Sequence, residues 1–460
     1  MSADHPSIDT KDHTIITSRA YLQKFGSDAT LISCSPVQSD LEKINDTASE
    51  TSLPPIDGGK AAWMFMFGSV LIDAVIWGFT LNFGIFQDYY MTHPLFEGNK
   101  YIAVIGTLAT GIAYLGGPLM APIAIKYQQY RQQMVYFGVL TCICGTLGAS
   151  FATKIWHLIL CQGIVYGIGF LIVSYAVFSM LNDWFVKRRG LAYGIQLSAS
   201  GIGGLVLPFP LQALLKRWGF SITLRIYAVT IVVIVGPALL LLRSRSPSTT
   251  TPKTKVKVDY SVMRKPIFFV LAIVNILQGL AYYLPDIYIP AFAADLSLSM
   301  GARALLLAMI NLAQVLGLLT MGYLSDFIDI HLLLFFSSFG SAVVVFTLWG
   351  LGKTLAPLVI FSLLFGFMAG GFESLFPRFA TALTKDPDTE LTFYGMFEFE
   401  RGVGIVLAGP ICSGLMQNEV DLTDYGVGRY KSIVLLVGTA LLVTSLGGLG
   451  WRFRGKSWYR

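Results

Sequence analysis

Three charged residues fall within four positions of an otherwise apolar stretch: Glu398, Glu400 and Arg401 in FEFERGVG. Arginine keeps its proton under ordinary conditions, so in apolar surroundings it needs a carboxylate or an anionic ligand. On a helix, Glu398 and Arg401 are three apart, share a face and can pair. Glu400 points elsewhere and needs another partner or a proton. Such a cluster can bind a polar or anionic group through Arg401, exchange ion-pair partners between states, or serve as a structural ion pair. Asp73, in VLIDAVIWGF, is a lone charge amid apolar residues. Placing it mid-bilayer costs roughly 2.5–3.5 kcal/mol, so it faces a cavity or a partner, or carries a proton. Trp77, Thr80 and Gly84 share its helical face. Asp286 lies between Pro285 and Pro290, and Glu373 precedes Pro377 and Arg378. Prolines free backbone carbonyls, and irregular backbone at membrane depth is tolerated where it lines a cavity. Both acids are therefore further candidates for a substrate or coupling role.

Other chemistries find no support. No GxxxxGK[ST] stretch offers a nucleotide site, so ATP is not expected as a partner. His93, His157 and His331 are far apart in sequence, and Cys34, Cys142, Cys144, Cys161 and Cys412 lack metal or disulfide spacing. No enzyme and no cofactor is expected, beyond a proton as coupling ion. The net charge of +6 is no nucleic-acid signal, because the basic residues gather at the ends of apolar segments.

The elements that must position these residues are membrane helices. The 460 residues are 54% hydrophobic and 13% charged, against about a quarter charged in a soluble chain. Apolar segments are expected at 61–86, 102–125, 134–152, 156–181, 190–215, 221–242, 267–292, 302–324, 331–351, 355–376, 391–416 and 432–452. The fold class that follows is an all-α integral membrane protein with twelve transmembrane helices. A polar tail covers 1–53 and includes the sequon Asn45-Asp46-Thr47. No basic-apolar-small leader precedes the first segment, which is expected to act as the insertion signal. A Ser/Thr/Pro/Lys linker, 243–266, separates a first six-helix unit (54–242) from a second (267–452), and a short tail covers 453–460. With both termini cytoplasmic, Lys and Arg fall inside rather than outside by about 23 to 9.

At one helix boundary, Lys187-Arg188-Arg189 follows Asp183 and precedes the glycine-rich GLAYGIQLSASGIGG. These four residues are candidates for a cytoplasmic gate in which the basic cluster pairs with Asp183 or other carboxylates. Topology fixing and lipid-headgroup binding are the plainer roles. Asp326, in GYLSD, is the matching candidate in the second half. The halves also share a pattern: Tyr193-Gly194 and Gly201-x-Gly203 recur as Tyr394-Gly395 and Gly402-x-Gly404, offset by 201 residues. Gly163-x3-Gly167 has an echo in Gly366-x3-Gly370. Together these support two pseudo-symmetric six-helix bundles.

The chain resembles the major facilitator superfamily in its monocarboxylate-porter-like branch, fungal members in particular. The residues that carry the likeness are Asp57-Gly58-Gly59 with Trp63, NFGIFQDYY (Asn82 to Tyr90), WFVKRRGLAYGI with Pro208, Gly219-Phe220, Leu224-Arg225, and Arg401-Gly402-x-Gly404 with Gly409-Pro410. The resemblance implies a two-bundle fold with a central cavity, working by alternating access. Where animal proton–lactate porters of that branch carry a carboxylate-binding Asp and Arg four apart, Gln314 and Leu318 stand here, and the branch's helix-one lysine has no counterpart near Asn82. The expected function is secondary active efflux of a small organic metabolite by a monomeric, multi-pass plasma-membrane protein. The alternatives are proton-coupled uptake of a monocarboxylate or vitamin, and a nutrient sensor that no longer transports.

Overall fold

A computed structural model of the chain describes residues 55–97, 99, 101–245, 258–416 and 425–448. The expected tails at 1–53 (with Asn45 and Cys34) and 453–460, and the interior of the 243–266 linker, lie outside the described residues. Every described element is a helix. Twelve helical runs coincide with the expected segments: α1 (Gly59–Thr92), α2 (Ile102–Leu115 with Gly117–Lys126), α3 (Arg131–Ala149), α4 (Ile155–Trp184), α5 and α6 (both within Arg189–Leu241), α7 (Pro266–Asp295), α8 (Met300–Leu324), α9 (Ile330–Trp349), α10 (Leu355–Leu375), α11 (Pro387–Leu415) and α12 (Lys431–Leu446). Seven helical stretches, one of which holds both α5 and α6, are long and apolar enough to cross a membrane, and α2, bent by 49°, makes an eighth. Of the others, α3 opens on polar residues, α11 carries the charged cluster, and α12 is short.

The breaks have local causes. As one helix, the 53 residues of Arg189–Leu241 would extend about 80 Å, against a hydrocarbon core of about 30 Å. At Gly219, φ is 74°, a left-handed conformation that glycine adopts without steric cost, and there α5 turns back into α6. In α1, helix geometry lapses at Asn82, whose Nδ2 donates to the carbonyls of Gly78 (2.7 Å) and Gly203 on α5 (3.2 Å). Beyond that break α1 continues to Thr92, past its expected end at 86. There Tyr90 packs against Phe96 and Phe220.

The offset of 201 is a geometric repeat. A Cβ on Gly194 would lie 2.4 Å from the Leu318 carbonyl of α8, and one on Gly395 would lie 2.9 Å from the Gly117 carbonyl of α2. Likewise, Gly203 faces the Ala74 carbonyl of α1 at 2.4 Å, and Gly404 faces the Ile276 carbonyl of α7 at 2.2 Å. Gly194 and Gly203 of α5 thus make the backbone approaches that Gly395 and Gly404 make on α11. Such contacts hold helices together in lipid, where no hydrophobic effect does so. The halves meet where α5 packs on α8 and where α11 packs on α2.

Candidate functional site

One end of the molecule, which carries the basic cluster, is closed by charges. The Asp326 carboxylate at the end of α8 accepts from the Gly190 and Leu191 amides at the start of α5 (2.7 and 2.9 Å) and pairs with Arg378 just past α10 (3.0 Å). A carboxylate at a helix N-terminus satisfies free amides and complements the helix dipole. Arg189 crosses to Glu390 on α11 at 2.6 Å. These two residues are themselves 201 apart, so the pair lies on the pseudo-two-fold axis.

The rest of the basic cluster behaves differently from expectation. Asp183 does not pair with Lys187, Arg188 or Arg189. It pairs with Arg131 of α3 at 2.6 Å, inside the first half. Lys187 and Arg188 are exposed, and their backbone amides, with that of Val186, donate to Asp57 (2.8–3.0 Å). The Asp57 amide in turn donates to the Trp184 carbonyl at 2.9 Å. Asp57-Gly58-Gly59 is therefore the clasp of the α4–α5 loop, and Asp57 takes a left-handed φ of 59° to make it.

Partial burial raises the Asp57 pKa, but the three amides and the Arg188 charge more than offset this, holding it below the ordinary 3.8. A depressed carboxylate pKa stabilises the fold above its unfolded value, and that stability is lost as pH falls through the folded value. Asp57→Ala, which strips the amides of their acceptor, is expected to cost about 1–2 kcal/mol at pH 7. In thermal unfolding in detergent, the deficit relative to the parent should shrink below about pH 4. A deficit independent of pH would contradict the clasp's charge.

From the opposite end a cavity of about 620 Å³ enters between the halves. Trp77, Thr80 and Gly84 line it as expected from the α1 face, together with Asp88, Tyr114, Tyr282, Tyr283, Asp286, Glu373 and Glu398. Gln314 and Leu318 also lie on its wall, as do Asn311 and Gln212. Beneath it is a chamber of about 30 Å³, room for one water, bordered by Asp73, Gln196, Ser174, Tyr175 and Tyr394. Trp77, Tyr114, Ser200 and Glu398 border both spaces. Asp73 and Glu398, on helices from opposite halves, thus face a common void. Asp73 accepts from Gln196 Nε2 at 2.5 Å, and Glu398 accepts from the Tyr394 hydroxyl at 2.6 Å.

The expected Glu398–Arg401 pair is not formed. Arg401 is fully buried and pairs with Glu373 of α10. Its guanidinium lies over the Tyr282 and Phe376 rings, 5.2 and 5.1 Å from their centroids. Glu373, Tyr282 and Phe376 line the cavity and Arg401 does not, so the arginine sits one layer behind the wall. Glu400 borders neither space, and its Oε2 is buried without a hydrogen-bond partner. Of the aromatics nearby in sequence, Phe393 and Phe397 pack on Phe268, Tyr288 lies against Tyr430, and Phe399 is exposed. Sequence reasoning missed Glu390, Asp57, Arg131 and Gln196. Glu390 was within reach, because adding 201 to Arg189 lands on it.

The sequence matches the Major Facilitator Superfamily over residues 61–409. It is similar to "MFS transporter asaE" of Aspergillus flavus, 27% identical over 409 residues that cover 88% of this chain and 91% of that protein. It is also similar to "Aspyridones efflux protein apdF" of Emericella nidulans, 28% identical over 85% of this chain and 78% of that one. Among solved structures, the fold resembles FucP in the outward conformation (TM-score 0.63, 12% identity, covering 86% of this chain and 100% of that one). It also resembles a bacterial homologue of the iron transporter ferroportin in an outward-facing state (TM-score 0.65, 15% identity, with the same coverage). The chain belongs to the Major Facilitator Superfamily, and is a multi-pass membrane transporter of small organic molecules rather than an enzyme.

Proposed function

We propose that the chain exports a small organic metabolite from the cell by alternating access, acting as a monomer in the plasma membrane with both termini cytoplasmic. The observation that carries this reading is a ligand-sized cavity between pseudo-symmetric halves, open at one end and held shut at the other by Asp326–Arg378 and Arg189–Glu390. The excess of Lys and Arg on the closed side makes that side cytoplasmic, so the cavity faces outward. The halves 54–242 and 267–452 are the bodies that rock, joined by the cytoplasmic linker 243–266. Export, rather than uptake, is supported by the efflux named for the Emericella relative. The monocarboxylate-porter-like branch is supported by the Asp57 clasp and the basic cluster it holds. Uptake of a monocarboxylate is opposed by Gln314 and Leu318 on the cavity wall, which bring no charge to pair with a carboxylate.

Proton coupling runs through Asp73 and Glu398, the two acids on the shared chamber; Asp286 and Glu373 act at the cavity wall. The test is flux of a labelled panel of organic compounds in vesicles with pH gradients of either sign. Gradient-driven flux of at least one compound is expected. Asp73→Asn and Glu398→Gln should each abolish its dependence on the gradient while leaving exchange of substrate for substrate. If both variants keep the parent's gradient dependence at every pH, coupling lies elsewhere; if the parent moves nothing, transport of such compounds is the reading that falls.

A further inference from the structure

The lining of the cavity has a sign. Four carboxylates, Asp88, Asp286, Glu373 and Glu398, face it, and no Lys, Arg or His is among the described lining residues. Arg401, a cation close to it, is sealed behind the wall and committed to Glu373. Asp286 and Glu398 have no cation partner among the described residues, and Asp286 Oδ1 is buried without a hydrogen bond. A second observation points to a ligand. Tyr282 is 2% exposed, lines the cavity, and its hydroxyl has no hydrogen-bond partner. Buried polar groups in native proteins are almost always satisfied, and the space that Tyr282 borders is the cavity. Trp77 and Tyr114 border both the cavity and the chamber, as Glu398 does.

We propose that this cavity selects molecules that join an aromatic or apolar body to a protonated amine, and that it rejects carboxylates. This deepens the transport reading and rests on the same cavity. An ammonium can donate a charge-assisted hydrogen bond to Glu398 or Asp286, roughly twice as strong as a neutral one, and lie against the ring faces of Trp77 and Tyr114. A carboxylate in the same place meets like charges with no arginine to receive it. The Arg401 role suggested by sequence, capture of an anionic group, is thereby replaced: its charge is already spent on Glu373.

The test is binding of three probes matched in ring and size to the purified full-length chain in nanodiscs: 1-naphthylmethylamine, 1-naphthylmethanol and 1-naphthoate. Saturable binding of the tritiated amine is expected, with the naphthoate displacing it at least about tenfold more weakly than the amine itself. Glu398→Gln and Asp286→Asn, each checked for an unchanged thermal midpoint, should erode the amine's advantage severalfold while leaving the alcohol's affinity near the parent value. Equal or tighter binding of naphthoate, no saturable amine binding up to millimolar concentration, or variants that lose amine and alcohol alike would each overturn the proposal. No gradient is applied, so a chain that binds the amine but moves nothing leaves this inference standing and sinks the transport reading. Gradient-driven flux of anions alone would do the reverse.

Discussion

Gly194→Val is expected to abolish transport without unfolding the chain, by preventing closure of the basic end. A Cβ at this position would lie 2.4 Å from the Leu318 carbonyl and 3.3 Å from the Gly322 Cα, backbone atoms of the helix packed against it. Neither can swing aside as a side chain would, and the β-branched valine adds bulk to the same gap. Overpacking of this kind typically costs 1–3 kcal/mol. In the proposed cycle the cost falls on one state, because α5 and α8 belong to the two bodies that would part when that end opens. A one-state penalty of about 3 kcal/mol shifts the equilibrium by about two orders of magnitude. Gly203→Val is the control. Its Cβ would meet Ala74 and Gly78 of α1 at 2.4 and 2.9 Å, within the same half, so it burdens both states and should lower stability instead. A cysteine at Thr110, on the cavity wall, reports the difference through an impermeant thiol reagent added on the cavity side. Brisk labelling of the parent is expected, with protection in Gly194→Val at an unchanged thermal midpoint. Labelling at the parent's rate, with transport intact, would show that this interface does not gate.

How much of this was legible in the sequence depended on whether a feature was local or periodic. The twelve helices followed from apolar length. The internal duplication followed from glycine positions, because close helix approach in lipid leaves a residue-level trace that a fixed offset exposes. Asp326 and Arg189 were picked out because charges at the ends of apolar segments stand out. Partner choice across helices was not legible. Glu398 and Arg401 have the spacing to pair, yet Arg401 turns to Glu373 on α10, 28 residues away, a choice set by how α10 and α11 cross. Asp183 likewise takes Arg131, 52 residues upstream, over the basic cluster beside it. Asp57 escaped notice as a functional residue because its partners are backbone amides, which no side-chain pattern reveals. Its place in a family-like motif was visible; what the motif does needed coordinates.

The second large effect belongs to Arg401. Arg401→Leu should destabilise the chain by about 3–5 kcal/mol, because it leaves Glu373 buried without its cation. Arg401→Leu with Glu373→Gln should be more stable than the single variant, since the greater part of the loss comes from the stranded charge rather than from the missing bond. The arginine is itself under-satisfied: its Nε and Nη1 are buried without hydrogen-bond partners, so the pair is an expensive feature to keep for stability alone. Its position suggests why it is kept. The guanidinium braces Tyr282 and Phe376 from behind, so it fixes the cavity wall. Arg401→Lys separates these functions: an ammonium can still meet Glu373 but cannot spread over two rings. Thermal midpoints in detergent should therefore fall furthest for Arg401→Leu, recover in the double variant, and lie in between for Arg401→Lys. In Arg401→Lys, affinity for the naphthyl alcohol should also weaken severalfold as Tyr282 loosens, although the arginine touches no ligand. If Arg401→Leu melts with the parent, or the double variant no higher than the single, the stranded-charge account fails.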